Sequence, residues 1–331
     1  MPHDWRYIHG AMSTQVHECI ADGKSIVKAS HPPIRCCCPD RCWPVWLICL
    51  FVSCVLPTVL EAQGNPSEET IKIGLRDGYL IVVQARINNA GPYKFLLDTG
   101  ATHTVIDPAL AKQLQLTTIG EASLTTVSDV RADRLVRLKA VRVGKSEVSE
   151  LGAVIDRLDQ VELKAPGIRG VLGEDFLSNF DFLIDYKQRT LRFGGNVPAG
   201  DRCRFETTGS YHGALTTNRV LLDAEFINIS NGKVQLQLDT GAKMPEIFPT
   251  RPGSVSSLPW AGSMAFSSGP NGTVIHSHTA IKVGKTTVSD LDLVRSRRGV
   301  AFDAAGLLPA FIFQRIYISH SGGFVVLNPG E

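Results

Sequence analysis

Short apolar runs separated by polar turns recur along most of the chain, and extended helical periods are scarce. Tyr79–Ile87 and Val220–Ile227 are rich in apolar and β-branched residues, so each of them predicts a strand. Arg315–Leu327 predicts a hairpin that closes the fold. The clearest helix is short, with Asp107 as its N-cap and Pro108 at its first position. Strands dominate this pattern, which predicts an all-β fold.

An acidic residue follows an apolar strand at two places in the chain. Phe95–Leu97 leads into Asp98–Ala101, the first acid loop, and Leu236–Leu238 leads into Asp239–Ala242, the second acid loop. Both loops have the sequence Asp-Thr-Gly-Ala. A carboxylate at the end of a buried strand is costly unless it is hydrogen-bonded or its pKa is shifted. Taken singly, each loop also fits an ordinary turn capped by aspartate.

The two acid loops belong to a longer internal repeat. They are separated by 239 − 98 = 141 residues, and three other segments recur in the same order at offsets of 140, 140 and 136. These pairs are Val141–Lys145 with Ile281–Lys285, Val148–Leu151 with Val288–Leu291, and Gly170–Leu172 with Gly306–Leu308. A repeat of this length is a whole domain. We therefore predict a leader at residues 1–64, a first lobe at 65–195 and a second lobe at 196–331, with a linker at Gly194–Asp201.

The paired Asp-Thr-Gly-Ala loops, with Val171-Leu172-Gly173 following the first, resemble the aspartic peptidases. The short lobes are most similar to retropepsin-like proteases, here duplicated in one chain. The resemblance implies a substrate cleft between two related lobes, where Asp98 and Asp239 form a catalytic dyad. Two neighbouring carboxyls share one proton and so supply a base and an acid for hydrolysis of a peptide bond by water.

The resemblance also assigns supporting roles within the loops. Thr99 and Thr240 would hydrogen-bond across the lobes, and Gly100 and Gly241 would leave room for the substrate backbone. Ala101 and Ala242 complete the two supporting loops. A hairpin within Leu124–Val143, with a polar turn at Ser128–Asp133, would cover an extended peptide or protein substrate. Gly269–Gly272 predicts the turn of the corresponding hairpin in the second lobe.

Two alternatives to an intramolecular protease remain open. Lys243 follows the second acid loop and would hold Asp239 ionised, and Pro309 stands where the first lobe has Gly173. Both features favour a peptide-binding module whose second lobe has lost catalysis. The other alternative is a homodimeric protease that uses Asp98 from two copies of the first lobe. We predict an endopeptidase that acts as a monomer.

Composition narrows the classes of partner. A net charge of +2 gives no indication of a nucleic-acid partner. Cys203 is the one cysteine after residue 64, so the two lobes are predicted to have no internal disulfide. Neither the cysteines at 36–42 nor the pair His276 and His278 has further ligands at the usual spacing for a metal site. No metal and no cofactor are therefore predicted.

The region before the repeat indicates export. Val45–Leu60 is an apolar segment that is short for a membrane helix and typical of a signal-peptide core, with Ala62 as a small residue at the cleavage site. An uncleaved anchor through residues 45–60 is the alternative. We expect a periplasmic or secreted protein.

Overall fold

In the computed structural model, strands in three sheets make up most of the residues that the structure describes. The structure describes residues 69–125, 130–158, 161, 165–207, 219–227, 233–248, 266–268, 274–295 and 305–330. The prediction of an all-β fold is confirmed, since the helices within these ranges are short.

The strands are numbered in chain order. They are β1 (Glu69–Lys72), β2 (Gly74–Arg76), β3 (Leu80–Ile87), β4 (Ala90–Leu97), β5 (Thr104–Ile106), β6 (Thr118–Thr125), β7 (Val130–Val143), β8 (Ser146–Ile155), β9 (Gly170–Leu172), β10 (Asp181–Asp185), β11 (Thr190–Phe193), β12 (Arg202–Arg204), β13 (Leu221–Phe226), β14 (Lys233–Asp239), β15 (Glu246–Ile247), β16 (Phe266–Ser268), β17 (Val274–Val283), β18 (Thr286–Arg295), β19 (Gly306–Pro309), β20 (Arg315–Ser319) and β21 (Phe324–Leu327). The helices are α1 (Pro108–Gln113), α2 (Glu174–Leu177) and a 3-10 turn at Ala310–Ile312.

Two of the sheets have corresponding strand orders. The first sheet runs β2-β3-β4-β9-β5-β8-β7-β6, and the second runs β13-β14-β19-β15-β18-β17-β16. In each sheet the strand that precedes an acid loop, β4 or β14, pairs in parallel with a short apolar strand, β9 or β19. The seven strands from β3 onwards therefore match the second sheet position by position.

The third sheet draws its strands from both halves of the chain. Its order is β1-β11-β10-β20-β21-β12, and β10 pairs antiparallel with β20. The segment Gly194–Asp201, predicted as a linker, connects β11 to β12. Apolar side chains from all three sheets form one continuous buried core. This packing fixes the sheets that carry the acid loops.

Successive side chains of β4 lie on opposite faces of the strand, with the main core on one face and the site on the other. Phe95 and Leu97 of β4 belong to the main core, whereas Leu96 belongs to a smaller apolar cluster on the opposite face. Side chains two residues apart share a face of a strand. Asp98 therefore continues the face of Leu96, and Asp239 continues the face of Gln237 in the second sheet.

The helix and hairpin predictions differ from the structure only in detail. Asp107 caps α1 by accepting hydrogen bonds from the N–H groups of Ala109 and Leu110. The hairpin of β6 and β7 is present, but Val130–Asp133, predicted as part of its polar turn, lies in β7. Antiparallel pairing with β6 provides hydrogen-bond partners for the backbone of this segment, whatever the polarity of its side chains.

Several predictions fall outside the described residues. They concern the leader and the segment Val45–Leu60, as well as the turn at Gly269–Gly272. Within the described ranges, no helix has the length and apolar character to cross a membrane.

Candidate active site

The structure brings the two acid loops together at the ends of β4 and β14. Asp98 N–H donates to Leu172 O at 3.0 Å, which holds the end of β4 beside β9. Both carboxyl groups are buried, with 5% of Asp98 and 0% of Asp239 exposed. All eight predicted site residues lie in this region. They are Asp98, Thr99, Gly100, Ala101, Asp239, Thr240, Gly241 and Ala242.

Each carboxyl group lies against the glycine of the opposite loop. A Cβ atom on Gly100 would stand 2.5 Å from Cγ of Asp239, and one on Gly241 would stand 2.9 Å from Oδ2 of Asp98. The two carboxyls lie close enough for each to influence the pKa of the other. Real Cβ contacts are not this short, so any side chain at either glycine would push a carboxyl aside. The glycines therefore permit the close approach of the two acids.

Backbone N–H groups orient both carboxyls. Gly100 N–H donates to Oδ1 of Asp98 at 2.8 Å. In the second loop, the N–H groups of Gly241 and Ala242 donate to Oδ1 of Asp239 at 2.6 and 3.0 Å. Hydrogen bonds of this kind favour the ionised form of a carboxyl group.

Reciprocal threonine bonds hold the two loops together. Thr99 Oγ1 donates to Leu238 O at 2.9 Å and accepts from Thr240 N–H at 3.1 Å. In return, Thr240 Oγ1 donates to Leu97 O at 2.8 Å and accepts from Thr99 N–H at 3.0 Å. All of these groups are buried, so the four bonds are protected from competition with water.

The environment separates the acidities of the two carboxyls. Burial raises the pKa of Asp98 to about 6, against the lowering effect of its hydrogen bonds to Gly100 and Asp239. Burial and the charge of Asp98 raise the pKa of Asp239 well above its ordinary value. The pair titrates as a unit. It therefore holds one proton above about pH 6 and offers both an acid and a base.

Lys243 does not play the part suggested by its place in the sequence. Its side chain is exposed to solvent. A cation beside a carboxyl lowers the carboxyl's pKa, whereas the pKa of Asp239 is raised. The proposal that Lys243 keeps Asp239 ionised is therefore wrong.

The first acid loop has additional support from α2, which sequence reasoning missed. Asp175 accepts from Thr104 N–H and from Thr104 Oγ1, both at 2.8 Å, and Glu174 N–H donates to Ala101 O at 2.8 Å. The second sheet has Ala310 and Phe311 at the corresponding positions after Pro309. The acidic pair directly after Gly173 is the sequence signal that marks this support.

His278 lies beside a register shift, between His276 and Thr279, in the pairing of β17 with β18. It has a positive φ, and its exposed imidazole Nδ1 lies 2.5 Å from Asp290 Oδ1.

A buried acid and imidazole meet behind α2. Nε2 of His320 lies 3.3 Å from Oε2 of Glu174, and His320 also packs on the rings of Phe182 and Phe205. Burial lowers the pKa of His320 to about 4 and raises the pKa of Glu174 well above its ordinary value. Near neutral pH the imidazole is therefore uncharged.

The imidazole is expected to make stability depend on pH. The unfolded chain binds a proton at His320 below about pH 6.5, but the folded chain does so only below about 4. The free energy of unfolding should therefore fall by about 2 kcal/mol between pH 7 and 4.5 because of this one group. His320→Gln, which stays neutral throughout, should remove that part of the loss in urea unfolding at the two pH values. An unchanged loss in the variant would show that His320 is not responsible.

Comparison with known proteins gives a family match in the part of the chain that carries the first acid loop. Residues 83–176 match the family model for aspartyl proteases. Among solved structures, a retropepsin-like aspartic protease from Rickettsia conorii is 22% identical over 38% of this chain and 90% of that chain, with a TM-score of 0.30. No curated protein gives a significant match. The matched segment runs from β3 to α2 and includes Asp98, so this part of the chain is similar in sequence to the aspartyl proteases.

Proposed function

We propose that the chain is a bilobal aspartic endopeptidase with an intramolecular Asp98–Asp239 dyad. The observation that carries the proposal is the burial of two carboxyls, each against the glycine of the opposite loop, on loops joined by reciprocal threonine bonds. The matching strand orders of the first two sheets support a pair of related lobes. The family match to residues 83–176 supports the class of chemistry.

The dyad supplies both proton transfers of peptide hydrolysis. The ionised carboxyl takes a proton from a bound water, whose oxygen attacks the carbonyl carbon of the peptide. The protonated carboxyl donates to the carbonyl oxygen, giving a tetrahedral diol. The C–N bond then breaks as the leaving nitrogen is protonated, and the dyad returns to its singly protonated state. Asp98, with the lower pKa, is the base of the first step.

An extended peptide is the substrate that suits this arrangement. The hairpin of β6 and β7 belongs to the same sheet as β4 and β9, which position Asp98. A substrate backbone can pair with strands of such a hairpin while its side chains enter pockets on both sides. The apolar segment 45–60 would direct the enzyme out of the cytoplasm. The proposal assigns the active species to a monomer, since both acids come from one chain.

Digestion of a peptide library by the full chain tests this function. We expect cleavage within extended peptides, detected by mass spectrometry, and a kcat/KM that rises through about pH 6 as Asp98 ionises and falls when the second proton leaves. The double variant Asp98→Asn, Asp239→Asn is the blank for contaminating peptidases. The activity should elute with the monomer. Absence of cleavage by the wild type across about pH 4 to 8 would reject the proposal.

A further inference from the structure

A fully buried glutamine breaks the apolar face beside the dyad. Gln237 precedes Asp239 by two residues, at the place that Leu96 holds before Asp98. In the ladder Gln237 lies between Leu221 and Leu307, just as Leu96 lies between Val82 and Val171. Gln237 is 0% exposed. A buried amide is costly unless it is hydrogen-bonded, so its contacts matter.

The side-chain amide of Gln237 reaches the backbone of the opposite loop. Its Nε2 donates to Thr99 O at 3.2 Å and to Gly100 O at 3.0 Å. Because both partners are acceptors, the orientation of the amide is fixed. Oε1 of Gln237 is buried and has no hydrogen-bond partner among the residues that the structure describes. The side chain therefore contributes to the site through its nitrogen.

One of the two carbonyls belongs to a peptide group whose N–H donates to the carboxyl of Asp98. The peptide of Thr99 O carries the N–H of Gly100, which donates to Oδ1 of Asp98 at 2.8 Å. The peptide of Gly100 O carries the N–H of Ala101, which donates to the main-chain oxygen of Asp98 at 3.3 Å. A peptide whose carbonyl accepts a hydrogen bond is polarised and becomes a better donor. Gln237 thus acts on the carboxyl of Asp98 through the peptide group between Thr99 and Gly100.

We propose that Gln237 is a positioning residue that stabilises ionised Asp98 and so places the shared proton of the dyad on Asp239. This inference rests on the proposed function. The side chain of Leu96 has no N–H group that could donate to the carbonyls of the second acid loop. The stabilisation therefore acts on Asp98 and not on Asp239. The two acid loops have the same sequence, and the residue two positions before each aspartate makes the two carboxyls unequal.

Other charged or titratable groups also face the dyad. They are Tyr79 before β3, Tyr186 after β10 and Glu174 of α2, whose pKa values are raised first by burial and then by nearby carboxylates, of which Asp98 contributes least. In the second half of the chain, Arg219 just before β13 and Glu246 of β15 are also buried. Gln237→Met is nearly isosteric and leaves all of these charges in place. A change in the titration of Asp98 in this variant therefore reports the lost amide donors.

The test compares Gln237→Met with Gln235→Met in the full chain. Gln235 lies on the same strand and the same strand face, two residues further from the dyad. The first readout is the carboxyl ¹³C shift of Asp98 against pH, assigned with Asp98→Asn. We expect the pKa of Asp98 to rise by about half a unit in Gln237→Met and to be unchanged in Gln235→Met. The acid limb of kcat/KM should move upward by the same amount.

Equal titrations of Asp98 in the wild type and Gln237→Met would overturn the inference, as would equal shifts in the two methionine variants. Should Gln237→Met fail to fold by near-ultraviolet circular dichroism, Gln237→Leu replaces it, because leucine occupies the corresponding place in the first sheet. The ¹³C readout does not require turnover. If the wild type cleaves no peptide but the pKa of Asp98 still rises in Gln237→Met, the proposed function is rejected and the role of Gln237 is retained.

Discussion

Asp98→Asn and Asp239→Asn should each lower kcat for peptide cleavage by about 10³-fold or more. Asparagine matches the shape of aspartate but can neither take a proton from water nor share one across the pair. Because the ionisation of each acid depends on the other, the loss of either one disables both roles of the dyad. Single-turnover rates on a fluorogenic peptide at the pH optimum measure the effect, and circular dichroism checks that the variants fold.

The pattern of losses discriminates among the candidate functions. Asp223→Asn, an exposed acid on β13, should retain wild-type rates and serves as the control. Loss of activity in Asp98→Asn but not in Asp239→Asn would point to a homodimer built from the first lobe. Full activity in both variants would contradict a carboxyl dyad altogether. Peptide binding without turnover in the wild type would instead favour the binding module.

The duplicated loop could be predicted from sequence because backbone geometry restricts its residue types. Gly100 and Gly241 must lack a Cβ atom where the opposite carboxyl approaches. Thr99 and Thr240 each need a hydroxyl that both donates and accepts. These requirements leave a short signature that survives in both halves of the chain. The short apolar runs likewise predicted the class of fold, since each of them becomes a buried strand.

Contacts between distant segments could not be predicted in this way. Gln237 lies between two leucines near the end of β14, and nothing local indicates that its partners are the carbonyls of Thr99 and Gly100. His320 and Glu174 meet only because β20 and α2 pack together. Lys243 shows the opposite error, since it is close to Asp239 in sequence but exposed to solvent. Proximity along the chain is a poor guide to the electrostatics of a site assembled across a sheet interface.

Thr99→Val should lower the free energy of unfolding by about 4 kcal/mol. The change keeps the shape of the side chain but leaves Leu238 O and Thr240 N–H buried without their partner. Thr99→Ser keeps the hydroxyl and should lose only about 1 kcal/mol, the contribution of one methyl group. Urea unfolding of both variants measures the difference.

Thr240→Val should cost as much, and the double valine variant should cost less than the sum because the four bonds form one network. Equal stabilities of Thr99→Val and Thr99→Ser would show that packing, and not the reciprocal hydrogen bonds, joins the two loops.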